Sequence, residues 1–238
     1  MRFINLINNQ QTTISFVEYF GLLTLCYLFI YRPGCFILHW LINTCVSKRN
    51  NRKVLFQSKQ PGDYAVITGA TDGIGLEYAK QLASIGYNLI LLSRNETKLS
   101  SVAHDIQEKY PQCSDIQWLV VDFSRVDIYD SIEAKLRSLV SNTNNTHKQN
   151  NRIYILVNNV GTTYHIPEYF AYYPVGYNQM LINVNIVSIT RMCEIVLKIM
   201  LEQVSLANAN IFNGIIINIS SGAGVTEFPL FSTYSACK

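Results

Sequence analysis

Tyr64-Ala65-Val66-Ile67-Thr68-Gly69-Ala70-Thr71-Asp72-Gly73-Ile74-Gly75 sets a short apolar run directly against three glycines spaced G-x-x-x-G-x-G. The run reads as a buried strand, and Ile74, Tyr78, Leu82 and Ile85 continue as one helical stripe. A strand, a Gly-rich turn and a helix let the backbone approach a pyrophosphate, with helix N–H groups and positive potential aimed at it. Gly69, Thr71, Asp72, Gly73, Ile74 and Gly75 are therefore candidate cofactor-binding residues. The turn by itself is weak evidence, because a plain structural turn has the same composition.

The alternation continues outward from this unit. Residues 88–93 are nearly all apolar, as in a strand buried on both faces. A helix over about 96–110 stops before Pro111, a third strand covers 116–121, and a helix covers 131–140. A fourth strand at 153–157, a long apolar helix at 179–201 and a fifth strand at 214–219 complete the pattern. Strands alternating with helices predict an α/β fold, a Rossmann-like doubly wound parallel sheet. The polar, Asn-rich stretches 142–151 and 208–213 read as surface insertions.

Ahead of this domain, residues 13–31 carry one charge, Glu18, and approach the ~20 residues that span a bilayer. Arg32-Pro33-Gly34 breaks the segment, and residues 35–46 suit a re-entrant or interfacial helix. Lys48, Arg49, Arg52 and Lys53 form a basic flank of the kind that stays on the cytosolic side. A cleaved signal peptide is a rival reading, but no small-residue cleavage site follows the run; a buried soluble helix is the other. The expected organisation is a membrane anchor with basic flank at 1–53 and a Rossmann-like, dinucleotide-binding domain at 54–238.

Net charge is 19 − 16 = +3 and dispersed, which gives no reason to expect a nucleic acid partner. The six cysteines show no C-x-x-C and read as reduced thiols of a cytosol-facing protein. The four histidines stand singly, so no metal site is expected.

Chemistry-bearing residues fall where the strands end. Ser93-Arg94 closes the second strand, where a carboxylate suits the 2′-hydroxyl of NAD and an arginine suits the 2′-phosphate of NADP(H). Asp122, after the third strand, is positioned to accept from an adenine amino group. Asn158, Asn159 and Gly161 follow the fourth strand and either line the cofactor, tie strands together or form a plain turn. Asn185 sits in an apolar helix, where a polar side chain needs a partner; a kink or a core hydrogen bond is the bland reading. Tyr234-Ser235-Ala236-Cys237-Lys238 puts a phenol and an ammonium on one helix face, and Ser221 lies 13 residues before the tyrosine. A phenol ionises near pH ~10, and a neighbouring cation favours the phenolate.

With these motifs together, the chain resembles the short-chain dehydrogenase/reductase family. The similarity is nearest to its membrane-anchored branch of 17-beta-hydroxysteroid dehydrogenases and very-long-chain 3-oxoacyl-CoA reductases. The strings Thr68–Gly75, Val121-Asp122-Phe123-Ser124, Asn158-Asn159-Val160-Gly161, Ile182-Asn183-Val184-Asn185 and Asn218-Ile219-Ser220-Ser221-Gly222 carry it. The resemblance implies that Tyr234 protonates a carbonyl oxygen while Lys238 holds the nicotinamide ribose and eases proton loss from Tyr234. It implies that Ser221 bonds the substrate oxygen and that Asn185 holds a water in a proton relay. It also implies a lipid carbonyl substrate, either 3-oxoacyl-CoA or a 17-ketosteroid or retinoid, and a homodimer of the complete form. The expected location is the endoplasmic reticulum membrane, with the catalytic domain facing the cytosol. A non-catalytic lipid-binding or regulatory homologue is the reading from another class. The family continues past its lysine with two further strands and substrate-covering loops. The sheet is thus expected to be C-terminally incomplete, and the 238-residue chain to reduce little or no substrate.

Overall fold

Five parallel strands, β1 (Asp63–Thr68), β2 (Asn88–Ser93), β3 (Ile116–Val120), β4 (Arg152–Asn158) and β5 (Ile215–Asn218), form one sheet in the order β3-β2-β1-β4-β5. The chain builds outward from β1 to β3, then returns to the other side of β1 to lay down β4. That reversal between β1 and β4 is a topological switch point, and open parallel sheets bind ligands beyond the strand carboxyl ends there.

This computed structural model describes residues 62–141, 151–206, 214–226 and 228–238, with isolated positions between 21 and 35. The expected spanning segment, its basic flank and nearly all of the Asn-rich stretches lie outside the described residues. The chain divides into two compact units, Met1–Ser58 and Lys59–Lys238, and the second contains the sheet.

Helices cover the sheet. α1 (Gly73–Ser84) and α2 (Glu96–Lys109) pack against β1, β2 and β3. Asp72 and Asn95 cap them by accepting from Gly73 N and Lys98 N. The buried side of α1 is Gly75, Ala79, Leu82 and Ala83, whereas Ile74 is 57% exposed. The expected stripe is therefore rotated, because small residues let the helix lie close to the sheet. Another core joins Val66, Ile90, Leu92 and Leu156 of the strands to Ile132 and Leu136 of α3 (Tyr129–Ser141) and Met192, Val196 and Ile199 of α5 (Ser188–Leu206).

The helix expected at 179–201 is not regular. It comprises α4 (Tyr177–Ile182), a π-helical turn at Asn183–Val187, and α5. Asn185 Nδ2 donates to Leu181 O at 2.9 Å and Ser188 Oγ to Val184 O at 2.6 Å. Side chains bonding back to helix carbonyls disturb the regular ladder, and single π turns often mark functional positions. By length and composition this helix could cross a bilayer. Here Met192, Val196 and Ile199 are buried in the sheet core instead.

Candidate active site

A cleft of about 690 Å³ opens at the carboxyl ends of β1 to β4, at the switch point. Its floor is the Gly-rich turn. Gly69 has φ +65°, a conformation that a side chain disfavours, and its N–H donates to Leu92 O at 2.8 Å. Asn159 Nδ2 reaches from the end of β4 to Thr68 O and Gly69 O, both at 3.1 Å. Thr68 Oγ1 answers by accepting from Asn159 N at 3.0 Å and Val160 N at 3.1 Å. A Cβ on Gly75 would run into Gly69 O and Asn159 Nδ2. The turn is thus laced to β4 and kept bare, so a diphosphate can approach its backbone.

The cleft then passes to the end of β2. Thr71 Oγ1 and Ser93 Oγ lie 2.9 Å apart, and Arg94 and Lys98 line the same wall. Asp122 stands opposite, its Oδ1 accepting from Ser124 N at 3.0 Å. That backbone N–H, helped by the nearby Arg94 and Arg125, holds its carboxyl below the usual range.

Behind Gly161, which lines the cleft, three expected residues come together. Asn185 is fully buried in the π turn, where its Nδ2 donates to Thr162 O at 2.8 Å and its Oδ1 accepts from Thr162 N at 3.2 Å. A Cβ on Gly161 would lie 2.9 Å from Lys238 Nζ and 3.1 Å from Asn185 Oδ1, so the two side chains share this spot. Lys238 Nζ sits 6.0 Å from the Tyr234 ring centroid, and burial holds its ammonium below its ordinary pKa. Both residues belong to the short α6 (Ser232–Cys237) and its C-cap. Thr233 Oγ1 fastens α6 by donating to Asn178 Oδ1 of α4 at 2.8 Å, an oxygen that also accepts from Tyr164 OH at 3.0 Å. Phe231 adds edge contacts to Tyr164 at 5.8 Å and Tyr234 at 6.4 Å. Ser221 caps the turn Gly222–Gly224, which packs against α6, and its Oγ accepts from Ala223 N at 3.3 Å.

Asn158 is placed differently from expectation. It is 1% exposed, and its Nδ2 donates to Asn218 Oδ1 at 2.9 Å and Cys193 Sγ at 3.2 Å. It ties β4 to β5 and does not line the cleft, because strand alternation turns it inward where Asn159 turns to the loop. Thr68, Asn178 and Lys98 had no signal as site residues, since their partners are distant in sequence or unremarkable in type.

The comparisons agree with this geometry. The sequence model of a family described as short chain dehydrogenase matches residues 63–238. A very-long-chain 3-oxoacyl-CoA reductase of Homo sapiens is 41% identical over 179 residues, covering 74% of this chain and 50% of the relative. One from Anas platyrhynchos is 43% identical over 180 residues, covering 74% and 51%. The chain thus spans about half the length of the curated relatives it matches. Among solved structures, a short-chain dehydrogenase from Sphingobium yanoikuyae in complex with NADPH superposes with TM-score 0.58 at 26% identity, covering 74% of this chain and 60% of that one. A metagenomic short-chain oxidoreductase in complex with NADP gives TM-score 0.60 at 27% identity, covering 74% and 70%.

Proposed function

This chain belongs to the short chain dehydrogenase family, and on that footing we propose that it serves the NADPH-dependent reduction of long-chain 3-oxoacyl-CoA to 3-hydroxyacyl-CoA, a reductive step of fatty-acid elongation. The observation that carries this reading is the convergence of Lys238, Tyr234 and Asn185 behind Gly161, a residue of the cleft that Arg94 also lines. The identity of about two residues in five to reductases named for that substrate supports it.

The residues present fit a dinucleotide, because the turn presents open backbone at Gly73, where nothing lies within 4 Å of a would-be Cβ, and lines the cleft with Gly69, Thr71 and Asp72 next to Arg94. Gly69, Thr71, Asp72, Gly73, Ile74 and Gly75 would hold the pyrophosphate, Arg94 the 2′-phosphate, Asp122 the adenine amino group, Asn159 and Gly161 the inner wall, and Lys238 the nicotinamide ribose. When bound, NADPH supplies the hydride. The work of the chain is to receive the charge that then develops on the substrate oxygen. Tyr234 donates its hydroxyl proton to that oxygen, and Ser221 offers it a second hydrogen bond. Asn185, its Nδ2 fixed by Thr162 O and Leu181 O, would hold a water that links Lys238 to solvent as a proton relay.

The proposal includes an anchored enzyme of the endoplasmic reticulum membrane, held by residues 1–53, with a catalytic domain of residues 54–238 facing the cytosol. The apolar run 13–31 and the basic flank Lys48, Arg49, Arg52 and Lys53 support that part. It predicts that the chain sediments with membranes and resists carbonate extraction; release by carbonate would refute a spanning segment.

The activity test measures NADPH oxidation with 3-oxoacyl-CoA and, in parallel, with 17-ketosteroids, on a chain extended by the two further strands and substrate-covering loops with which the family continues, since the 238 residues alone are expected to turn over little or no substrate. Turnover of the acyl-CoA that is abolished by Tyr234→Phe supports the reading. Preference for the steroid, or NADPH binding without turnover of either, overturns the substrate assignment or the enzymatic role respectively.

A further inference from the structure

The turn that faces the dinucleotide carries a carboxylate, which is an awkward neighbour for phosphates. Asp72 uses Oδ1 to cap α1, accepting from Gly73 N at 2.8 Å. Its Oδ2 lies 3.9 Å from Lys98 Nζ. Lys98 rises from the first turn of α2, where its own N–H donates to Asn95 Oδ1 at 2.9 Å, and Asn95 follows directly on Arg94. Asp72, Arg94 and Lys98 therefore reach one cleft wall from three elements: the β1–α1 turn, the end of β2 and α2.

The Asp72–Lys98 pair does little for the fold. Its side chains are 86% and 59% exposed, and open ion pairs of this kind contribute close to nothing. Its effect on a ligand is larger. Arg94 already acts on the carboxylate of Asp122, and Asp72 adds a second negative charge beside the phosphate path. Against the two carboxylates Arg94 alone leaves a formal charge of +1 − 2 = −1 around the site, and Lys98 brings it to zero, so Lys98 removes a net repulsion that a 2′-phosphate would meet. A lysine ammonium on a long stem is a movable point charge, able to leave a loose carboxylate for a dianionic phosphate.

We propose that Lys98 is a second cation of the 2′-phosphate site, shared between Asp72 and the phosphate, and that it sets the selectivity for a 2′-phosphorylated dinucleotide. The proposal rests on the NADP(H) reading above and names a specificity residue for it. Binding by calorimetry on the full chain in detergent tests it, with adenosine 2′,5′-bisphosphate and 5′-AMP as probes. For Lys98→Met the expected result is about tenfold weaker bisphosphate binding, the size of one charge-assisted contact, with 5′-AMP little changed. Lys98→Arg should retain most of the affinity. Asp72→Asn keeps a helix cap and should tighten the bisphosphate a few-fold. Equal losses for both probes in Lys98→Met, or no loss for either, overturn the proposal while the unmutated chain still prefers the bisphosphate. If the unmutated chain does not distinguish the two probes, the NADP(H) reading falls and the proposal with it.

Discussion

Lys238 Nζ and Asn185 Oδ1 meet over the bare α-carbon of Gly161, one arriving at the C-cap of α6 and the other from a π turn in the helix beneath. The loop that follows β4 thus lies against both members of the proposed proton relay. A methyl group there would have to push one of them away. The lysine tip gives way most easily, because it is the end of a flexible stem. Gly161→Ala is therefore expected to lower turnover by about tenfold or more while the chain stays folded, as small overpacking beside a movable side chain costs roughly 1 kcal/mol. Steady-state kinetics with a thermal melt checks it; unchanged kcat would show that Lys238 does not need its present place.

Arg94 shares with Lys98 the preference for NADPH in the proposed reaction. Arg94→Asp exchanges a favourable phosphate contact for repulsion, so kcat/KM with NADPH should fall by roughly a hundredfold or more and NADH should become the better cofactor. Retained preference for NADPH after the exchange would move the 2′-phosphate site elsewhere.

The first residues of β1 and β4 are clamped by charge. Arg152 Nε and Nη2 donate to Asp63 Oδ1 and Oδ2, both at 2.8 Å, and the Asp63 side chain is fully buried. Removing the guanidinium takes the ion-pair partner from that buried carboxylate, so Arg152→Ala should cost about 3–5 kcal/mol in urea unfolding. The double variant Asp63→Asn with Arg152→Gln should recover part of the loss, because neither side chain then carries an uncompensated buried charge.

Alkaline pH should unfold the chain through two tyrosines. Burial, and then the Asp115 carboxylate that accepts its hydroxyl at 2.5 Å, push Tyr64 above its ordinary value. Burial, and then the charges of Tyr154 and Asp63, do the same for Tyr87. Above the unfolded value of 10.0 the folded chain keeps protons that the unfolded chain has lost. The stability they contribute is fully present below that pH and is lost as pH rises from it toward the raised folded values. Urea midpoints measured across this window, with phenolate absorbance as a second probe, should fall steeply; Tyr64→Phe with Tyr87→Phe should flatten the decline.

Much of the fold was legible because its signals are local. The β1 run, the glycine turn and the following helix occupy consecutive residues, and strand and helix periods can be read within a dozen positions. Five strands were expected near 64–68, 88–93, 116–121, 153–157 and 214–219, and the sheet has them within a residue or two, all parallel. Where the residues left alternatives open, the structure chose: the carboxamide of Asn185 bonds Leu181 O and Thr162 O at a π turn in the long helix. Asn158, expected either to line the cofactor or to tie strands, bonds Asn218 within the sheet.

The sequence by itself determined the alternation of elements, the glycine turn and the identities of the tyrosine, lysine, serine and asparagine at the candidate site, because each depends on residue type and near-neighbour spacing. Only the tertiary structure decided which of two adjacent asparagines faces the loop, that Thr68 binds backbone groups 91 and 92 residues away, and that Lys98 reaches Asp72. A hydrogen bond or an ion pair needs its partner within about 3–4 Å, and which distant residue comes that near is set by how the strands pair and the helices pack.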